Sequence, residues 1–161
     1  RDRLMALAEI KRGDLVLDLN AGSGLLTWEA VRRAPEGGVW ALAADASAAQ
    51  ALQQGAARLD ALGRPLILQG ELEALPALIA AQAQGEVRFD VAIGRNVLSQ
   101  RATRPTGPSL RDAAQSVLAV LRPGGRLVLA EPVPRHAQRL YRLLDLGSLG
   151  ADLAQRLAEA E

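Results

Sequence analysis

Residues 15–24 read LVLDLNAGSG, an apolar run followed directly by a glycine-rich segment. Its first half, Leu15–Leu19, is a short apolar run interrupted only by an acid, which is typical of a strand buried on both faces. Its second half is a glycine-rich turn, where the backbone can approach a ligand closely. A helix that begins near Leu25 would then direct free backbone N–H groups at that turn. The stretch therefore predicts a strand, a ligand-binding turn and a helix.

Four more apolar runs follow, and segments with helical spacing separate them. One such segment places Leu110, Ala114 and Val117 on a single stripe. Strands that alternate with helices predict an α/β fold with a mostly parallel sheet, right-handed crossovers and helices on both faces. The predicted strands are Leu15–Leu19, Val39–Ala44, Pro65–Leu68, Phe89–Ile93 and Arg126–Ala130.

Helix signals support this alternation. Ser47 with Gln50, and Ser109 with Asp112, have the spacing of capping boxes. An earlier helix is predicted over residues 3–10.

The composition excludes several classes of protein. The chain has 161 residues and a net charge of +1, which predicts one domain and gives no broad field for nucleic acid or anionic lipid. There is no cysteine, which excludes disulfides, thiolate metal sites and a cysteine nucleophile. No apolar run has membrane-spanning length and the N-terminus has no signal-peptide pattern, so a soluble cytoplasmic protein is predicted.

Polar residues follow every predicted strand at its carboxyl end. In an open parallel sheet these ends share one edge, and ligands bind there. The dinucleotide fingerprint G-x-G-x-x-G is not matched, because Leu26 or Thr27 stands where its third glycine would be. The residues at this edge are Asp18 with residues 20–24, Asp45, residues 69–71, residues 94–96 and Glu131.

The sequence VLDLNAGSGLLTWEA resembles motif I of the class I S-adenosylmethionine-dependent methyltransferases. VWALAAD, LILQGELEALP and LRPGGRLVLAEP resemble later segments of that family, in the family's order, and the resemblance covers about residues 5–134. It implies a doubly wound, Rossmann-like sheet with strand order 3-2-1-4-5, and S-adenosylmethionine as the cofactor.

The resemblance also implies roles for individual residues. Asp18 would lie near the methionine amino group, Asp45 would accept from the ribose hydroxyls, and Glu71 would accept from the adenine amino group. The backbone of Leu72 would contact the adenine ring, and Arg95 would lie beside the methionine end. The implied cofactor-binding residues are Asp18, Asn20, Ala21, Gly22, Ser23, Gly24, Asp45, Ala46, Glu71, Leu72, Gly94 and Arg95.

Three positions depart from the family pattern. Asn20 stands where the family usually has its first glycine, and asparagine tolerates left-handed backbone better than most residues. Asp45 lies about one residue further from motif I than is common. Glu71 replaces the usual aspartate.

No conspicuous catalytic motif is present, and methyl transfer needs a base only when the acceptor must lose a proton. Glu131, His136 and Arg95 are the catalytic candidates. The simpler interpretations are, in the same order, an acid at the rim of the sheet, a solvated histidine and one arginine of an arginine-rich chain.

The N/D-P-P-Y/F element is absent after the fourth strand, and no metal site is predicted. Arg101 and Arg104 would join Arg95 in a basic cluster. Trp28, Trp40 and Tyr141 are interpreted as packing residues.

The function predicted is a methyltransferase domain that acts on an unidentified acceptor. One alternative is a non-catalytic binding or regulatory module of the same fold, and a weaker one is a dinucleotide-dependent oxidoreductase. Residues 1–161 are expected to be a single domain with a helical tail over 132–161. The domain is expected to belong to a longer polypeptide with further linked domains, and it resembles segments that follow AAA+ ATPases in some bacterial chains.

Overall fold

A computed structural model describes residues 1–99, 109–132 and 155. Its contacts divide the chain into residues 1–131 and 132–161, and the fold below is that of the first unit. The predicted helical tail, 132–161, lies almost wholly outside the described residues. The helices are α1 (Asp2–Ala8), α2 (Leu25–Arg33), α3 (Ala46–Ala56), α4 (Leu75–Gln82) and α5 (Leu110–Val120). The strands are β1 (Leu15–Asp18), β2 (Gly38–Ala43), β3 (Leu66–Gln69), β4 (Phe89–Arg95) and β5 (Leu121–Ala130).

The five strands form one sheet in the order β3-β2-β1-β4-β5, and every neighbouring pair is parallel. Asp18, the last residue of β1, is level with Ala41 of β2 and Ile93 of β4. The predicted fold class and strand order are therefore confirmed. All carboxyl ends lie along one edge of the sheet, where the polar residues of the sequence follow them.

Successive residues of the central strand face opposite sides of the sheet. Val16 packs with the apolar faces of α1 and α2, whereas Leu17 packs with α4 and α5. A third cluster joins Leu52 of α3 to the small residues at the carboxyl end of β2. Helices thus cover both faces of the sheet. The strands are continuous apolar runs because the side chains on both of their faces are buried.

Two helix starts differ in their outcome. Ser109 accepts from the Asp112 N–H and Asp112 accepts from the Ser109 N–H, so this capping box is confirmed. The box predicted at Ser47 is wrong, because α3 begins two residues earlier than that box predicts and Asp45 is its N-cap, accepting from the Ala48 N–H at 2.8 Å. Aspartate is as good an N-cap as serine, and here it comes first.

Two element boundaries also differ from prediction. The first helix ends at Ala8 instead of residue 10, because Glu9 takes a left-handed conformation with φ 45°. The fifth strand begins at Leu121, which pairs with Phe89, and the pairing shifts register before it resumes at Arg126. The intervening Pro-Gly-Gly stretch lies inside this irregularity, as expected of a bulge.

Candidate functional site

The glycine-rich turn after β1 is fixed by backbone hydrogen bonds to its neighbours. The Ala21 N–H donates to the Leu42 carbonyl of β2 at 3.0 Å, and the Gly24 N–H donates to the Ala21 carbonyl at 2.7 Å. Gly22 and Gly24 both have left-handed backbone, with φ 49° and 85°, which favours glycine. The conformation of this turn therefore depends on the two glycines that the sequence analysis singled out.

The two glycines differ in what surrounds them. A Cβ at Gly22 would meet no atom within 4 Å, so open space lies in front of that residue. A Cβ at Gly24 would overlap the indole of Trp28 and come within 2.9 Å of Leu52 Cδ2. Gly22 is therefore open to an incoming molecule, whereas Gly24 makes room for the packing of Trp28, which confirms that tryptophan as a packing residue.

Helix α2 begins directly after the turn, and its N-cap residue makes no side-chain hydrogen bond to the first N–H groups. Its N-cap, Gly24, has no side chain to do so. The first N–H groups of a helix and the positive end of its dipole favour an anionic group such as a carboxylate. The start of α2 therefore has the polarity that suits the negative part of a ligand.

Asp18 lies beneath the turn and is fully buried. Its Oδ2 accepts from the Thr27 hydroxyl at 2.7 Å, and its Oδ1 accepts from the Asn20 N–H at 3.3 Å. Burial raises the pKa of Asp18 from its ordinary value of 3.8 to about 6, while the hydrogen bonds from Thr27 and Asn20 act in the opposite direction. Because Asp18 is buried, a ligand above the turn would interact with the charge of its carboxylate without touching it.

Asn20 does not use the left-handed conformation that its residue type allows. Among the described non-glycine residues, only Glu9 and Asn96 have a positive φ. The Asn20 side chain instead donates from Nδ2 to the Arg95 carbonyl at 2.8 Å. Asn20 is therefore held by a side-chain contact, and no left-handed backbone favours asparagine there.

The other implied cofactor-binding residues lie at the same edge. Asp45 is exposed, and its Oδ1 is engaged as the α3 cap. Glu71 is exposed and precedes a 3₁₀ turn over Leu72–Ala74, in which the Leu72 side chain is buried. The Gly70 N–H donates to the Ala43 carbonyl at 3.0 Å, which ties the end of β3 to the end of β2. Ser23 is exposed in the glycine-rich turn, and Ala46 is exposed as the first residue of α3.

Gly94 and Arg95 end β4 in different surroundings. Gly94 is buried, and a Cβ there would overlap Val97 and come within 3.2 Å of Leu129. This glycine therefore permits close packing at the end of the strand. Arg95 is exposed, with its carbonyl bound by Asn20.

Glu131 holds the turn that follows β4. Its Oε1 accepts from the Val97 and Leu98 N–H groups at 2.7 and 3.0 Å, and its Oε2 accepts from the Ser99 N–H at 3.0 Å. Both carboxylate oxygens are thus committed to the backbone, which gives Glu131 a positioning role. His136, Tyr141, Arg101 and Arg104 lie outside the described residues, and the catalytic candidates stay predictions.

Replacing Glu131 by alanine is expected to lower the free energy of unfolding by about 2 kcal/mol, because three backbone donors lose a charged acceptor. Glu131→Gln keeps one acceptor oxygen and should lose less. Urea unfolding of the two variants checks this order. Equal losses would mean that these hydrogen bonds do not hold the turn.

The described part of the chain contains no group of three or more histidine, cysteine or acidic side chains suited to a metal ion. Among the described helices, none combines the length and the apolar character needed to cross a membrane. The edge of the sheet is therefore characterised by a glycine turn, a helix N-terminus and single acids.

Comparison with known proteins shows the fold. TrmN from Thermus thermophilus superposes with a TM-score of 0.62 at 23% identity, over 83% of this chain and 37% of that one. The glycopeptide N-methyltransferase MtfA, complexed with sinefungin, gives 0.62 at 22% identity over 86% of this chain and 52% of that one. Coclaurine N-methyltransferase, bound to N-methylheliamine and S-adenosylhomocysteine, gives 0.61 at 16% identity over 80% and 33%.

These matches establish that the chain has the class I methyltransferase fold and spans about a third to a half of the length of these structures. No protein-family model matches the chain, and the comparison with curated proteins finds no match. The resemblance to chains that carry an AAA+ ATPase finds no support in these comparisons and stays a prediction from sequence.

Proposed function

We propose that this chain is an S-adenosylmethionine-dependent methyltransferase domain. The observation that carries the proposal is the β1–turn–α2 unit, in which open space faces Gly22 and α2 begins at a glycine N-cap without a capping side chain. β1 and β4 are neighbours in the sheet, but β2 lies on the far side of β1 and β5 on the far side of β4. The β1–turn–α2 unit lies beside this switch point, which is where open α/β sheets bind ligands. Neighbours of the same fold were crystallised with S-adenosylmethionine, S-adenosylhomocysteine or sinefungin, which supports the choice of cofactor.

The residues at the edge fit such a cofactor. The backbone of residues 20–24 and the N-terminus of α2 would hold its carboxylate and methionine portion. Asp45, exposed at the end of β2, would accept from the ribose hydroxyls through the oxygen that does not cap α3. Glu71 and the backbone of Leu72 would hold the adenine, and Arg95 would border the methionine end.

The cofactor supplies an electrophilic methyl group on a sulfonium, and the chain's own residues supply position. Holding two reactants in line at near-attack distance can account for much of the rate of such a displacement. The turn that follows β4 borders this region, and Glu131 fixes three of its backbone N–H groups. A base is required only for an acceptor that must lose a proton.

The test is a calorimetric titration with S-adenosylhomocysteine, with NAD⁺ as the comparison ligand. We expect S-adenosylhomocysteine to bind and NAD⁺ not to bind, because the third glycine of the dinucleotide fingerprint is absent. Tight binding of NAD⁺ alone would favour the oxidoreductase alternative. No binding of S-adenosylhomocysteine at millimolar concentration would refute the proposal.

Asp45→Asn separates the ribose contact from the helix cap. Asparagine can still cap α3 through its one oxygen, but it offers one acceptor where the carboxylate offers two. We expect a loss of at least about 1 kcal/mol in S-adenosylhomocysteine affinity, measured by titration, with nearly unchanged stability. The control is Ser109→Ala, which removes the cap of α5 and should lower stability by about 1 kcal/mol without changing affinity. Unchanged affinity in Asp45→Asn would remove Asp45 from the site.

A non-catalytic module of the same fold is the second candidate. It is favoured by Glu131, the one candidate base among the described residues, because its oxygens already accept three backbone hydrogen bonds. Such a module would bind S-adenosylmethionine without producing S-adenosylhomocysteine in the presence of any acceptor. The acceptor, the linked domains, and a cytoplasmic location stay predictions.

A further inference from the structure

Thr27 and Asp18 form a buried polar pair inside the β1–turn–α2 unit. Thr27 is the third residue of α2, and both residues are fully buried. The Thr27 hydroxyl donates to Asp18 Oδ2 at 2.7 Å. A threonine inside a helix can instead bond the carbonyl four residues before it. Here the hydroxyl donates to a strand residue, and it thereby connects the first turn of α2 to the end of β1.

Asp18 has no cationic partner among the described residues. Its Oδ1 accepts from the Asn20 N–H at 3.3 Å, and the uncharged Ala41 and Ile93 are level with it in the neighbouring strands. No charged residue on the elements around Asp18 hydrogen-bonds to its carboxylate or shifts its pKa. The charged residues of those elements are Glu29, Arg32 and Arg33 in α2, Asp90 and Arg95 in β4, and Asp45 after β2. The ionisation of Asp18 therefore depends on burial and on neutral donors.

Burial and the neutral donors act on Asp18 in opposite directions. Burial raises the pKa of the Asp18 carboxyl to about 6, and the Thr27 hydroxyl opposes burial more than the Asn20 N–H does. A hydrogen bond to an ionised acceptor is stronger than one to a neutral acceptor, so the hydroxyl stabilises the carboxylate over the neutral acid. A neutral amide could accept from the same donors at a lower cost of burial. Keeping a costly charge under the ligand-binding turn indicates that the charge has a role in binding.

We propose that Thr27 is a positioning residue, whose hydroxyl keeps the Asp18 carboxylate ionised and fixed beneath the glycine-rich turn and thereby sets the lower pH limit of cofactor binding. Thr27 is fully buried and acts only through Asp18. The ionised carboxylate attracts the ammonium group of the cofactor, whereas the neutral acid does not. Affinity therefore falls as the pH falls through the range in which Asp18 takes up its proton. The inference rests on the proposed function, since the cofactor is the ligand that responds to this charge.

The first measurement follows the ionisation of Asp18 without any ligand. Carbon-13 NMR of the aspartate carboxyl groups gives the pH midpoint, and the resonance that is missing from Asp18→Asn identifies Asp18. Thr27→Val keeps the shape of threonine without the hydroxyl, and it should raise the midpoint by about one pH unit, a tenfold change in the ionisation equilibrium. Thr27→Ala, the second variant without the hydroxyl, should move it in the same direction, and Thr27→Ser should keep the wild-type midpoint. An unchanged midpoint in Thr27→Val and Thr27→Ala overturns the inference.

The second measurement is the affinity for S-adenosylhomocysteine at pH 5.5, 6.5 and 8, by calorimetric titration. Wild type and Thr27→Ser should lose affinity together below about pH 6, where Asp18 becomes neutral. Thr27→Val should bind about threefold more weakly than wild type at pH 6.5 and equally well at pH 8, because the ionised fraction of Asp18 differs only at the lower pH. A merely structural role for Thr27 would weaken binding by the same factor at every pH, and that result overturns the inference.

Ser116→Ala is the control for the loss of a hydroxyl. The Ser116 hydroxyl donates to the Glu73 carbonyl at 3.3 Å, so its removal breaks a hydrogen bond that involves no carboxylate. Neither the midpoint of Asp18 nor the pH profile of affinity should change in this variant.

The outcomes separate the inference from the function on which it rests. If S-adenosylhomocysteine binds with an affinity that does not depend on the Thr27 variants, the positioning role is refuted and the cofactor assignment stands. If no form binds it at any pH, the proposed function fails, and the NMR titration, which needs no ligand, still decides whether Thr27 keeps Asp18 ionised.

Discussion

Asp18→Asn is expected to raise the free energy of unfolding by about 3 kcal/mol at pH 7.5 and to change it little near pH 4. Burial raises the pKa of the Asp18 carboxyl from 3.8 to about 6, against the opposing hydrogen bonds from Thr27 and Asn20. Because one pKa unit corresponds to about 1.4 kcal/mol, the ionised carboxylate costs the folded state about 3 kcal/mol relative to its neutral form. Asparagine mimics the neutral form.

The direction of the pH dependence follows from where the proton is lost. In the unfolded chain Asp18 ionises near 3.8, whereas in the folded chain it keeps its proton until about pH 6. The folded state therefore binds more protons in this window, and the stability contributed by Asp18 falls as pH rises from 3.8 to 6 and is level above it. Acids with lowered pKa values, such as Glu29 beside Arg33, act in the opposite direction. Subtracting the variant from the wild type removes their contribution.

The asparagine fits the same hydrogen bonds. Its oxygen can accept from the Asn20 N–H, and its nitrogen can donate to the Thr27 hydroxyl, which accepts as well as donates. Urea unfolding at pH 4, 5, 6 and 7.5 measures the difference. Asp60→Asn, the same change at an exposed acid, is the control for the substitution itself. A difference between wild type and Asp18→Asn that is constant with pH would contradict the raised pKa.

Gly24→Ala is expected to lower the free energy of unfolding by about 3 kcal/mol, whereas Gly22→Ala should lose only about 1 kcal/mol. Both residues have left-handed backbone, which costs a residue with a Cβ about 1–2 kcal/mol. Only at Gly24 would the added methyl also overlap the Trp28 indole and approach Leu52 within 2.9 Å. Forcing an extra methyl into a packed region adds about 1–3 kcal/mol.

Urea unfolding, followed by tryptophan fluorescence, measures both variants. The emission of Trp28 should change in Gly24→Ala, because the indole must move, and should stay unchanged in Gly22→Ala. Gly22→Ala has a separate effect on binding, since its methyl would occupy the open space in front of the turn. Equal losses of stability in the two variants would mean that the contact with Trp28 does not prevent a side chain at position 24.

The repeating apolar runs predicted the sheet because a strand buried on both faces leaves a clear pattern. Val16 and Leu17 face opposite layers of helices, and both must therefore be apolar. Motif order then predicted the strand order, which local patterns cannot supply. The box at Ser47 was wrong, because sequence spacing cannot tell which of two neighbouring polar residues, Asp45 or Ser47, has the extended backbone of an N-cap.

The parallel α/β architecture, and the edge of the sheet at which the glycine turn and the acids meet, could be predicted from sequence because buried periodicity and turn glycines are local properties. The contacts of the individual polar residues could be read only from the folded chain. Asn20 reaches the Arg95 carbonyl, and Glu131 reaches the turn beginning at Val97, across separations of 75 and 34 residues. Residues so far apart in the sequence come within hydrogen-bond distance, about 3 Å, only when the parallel strands beside them are in register.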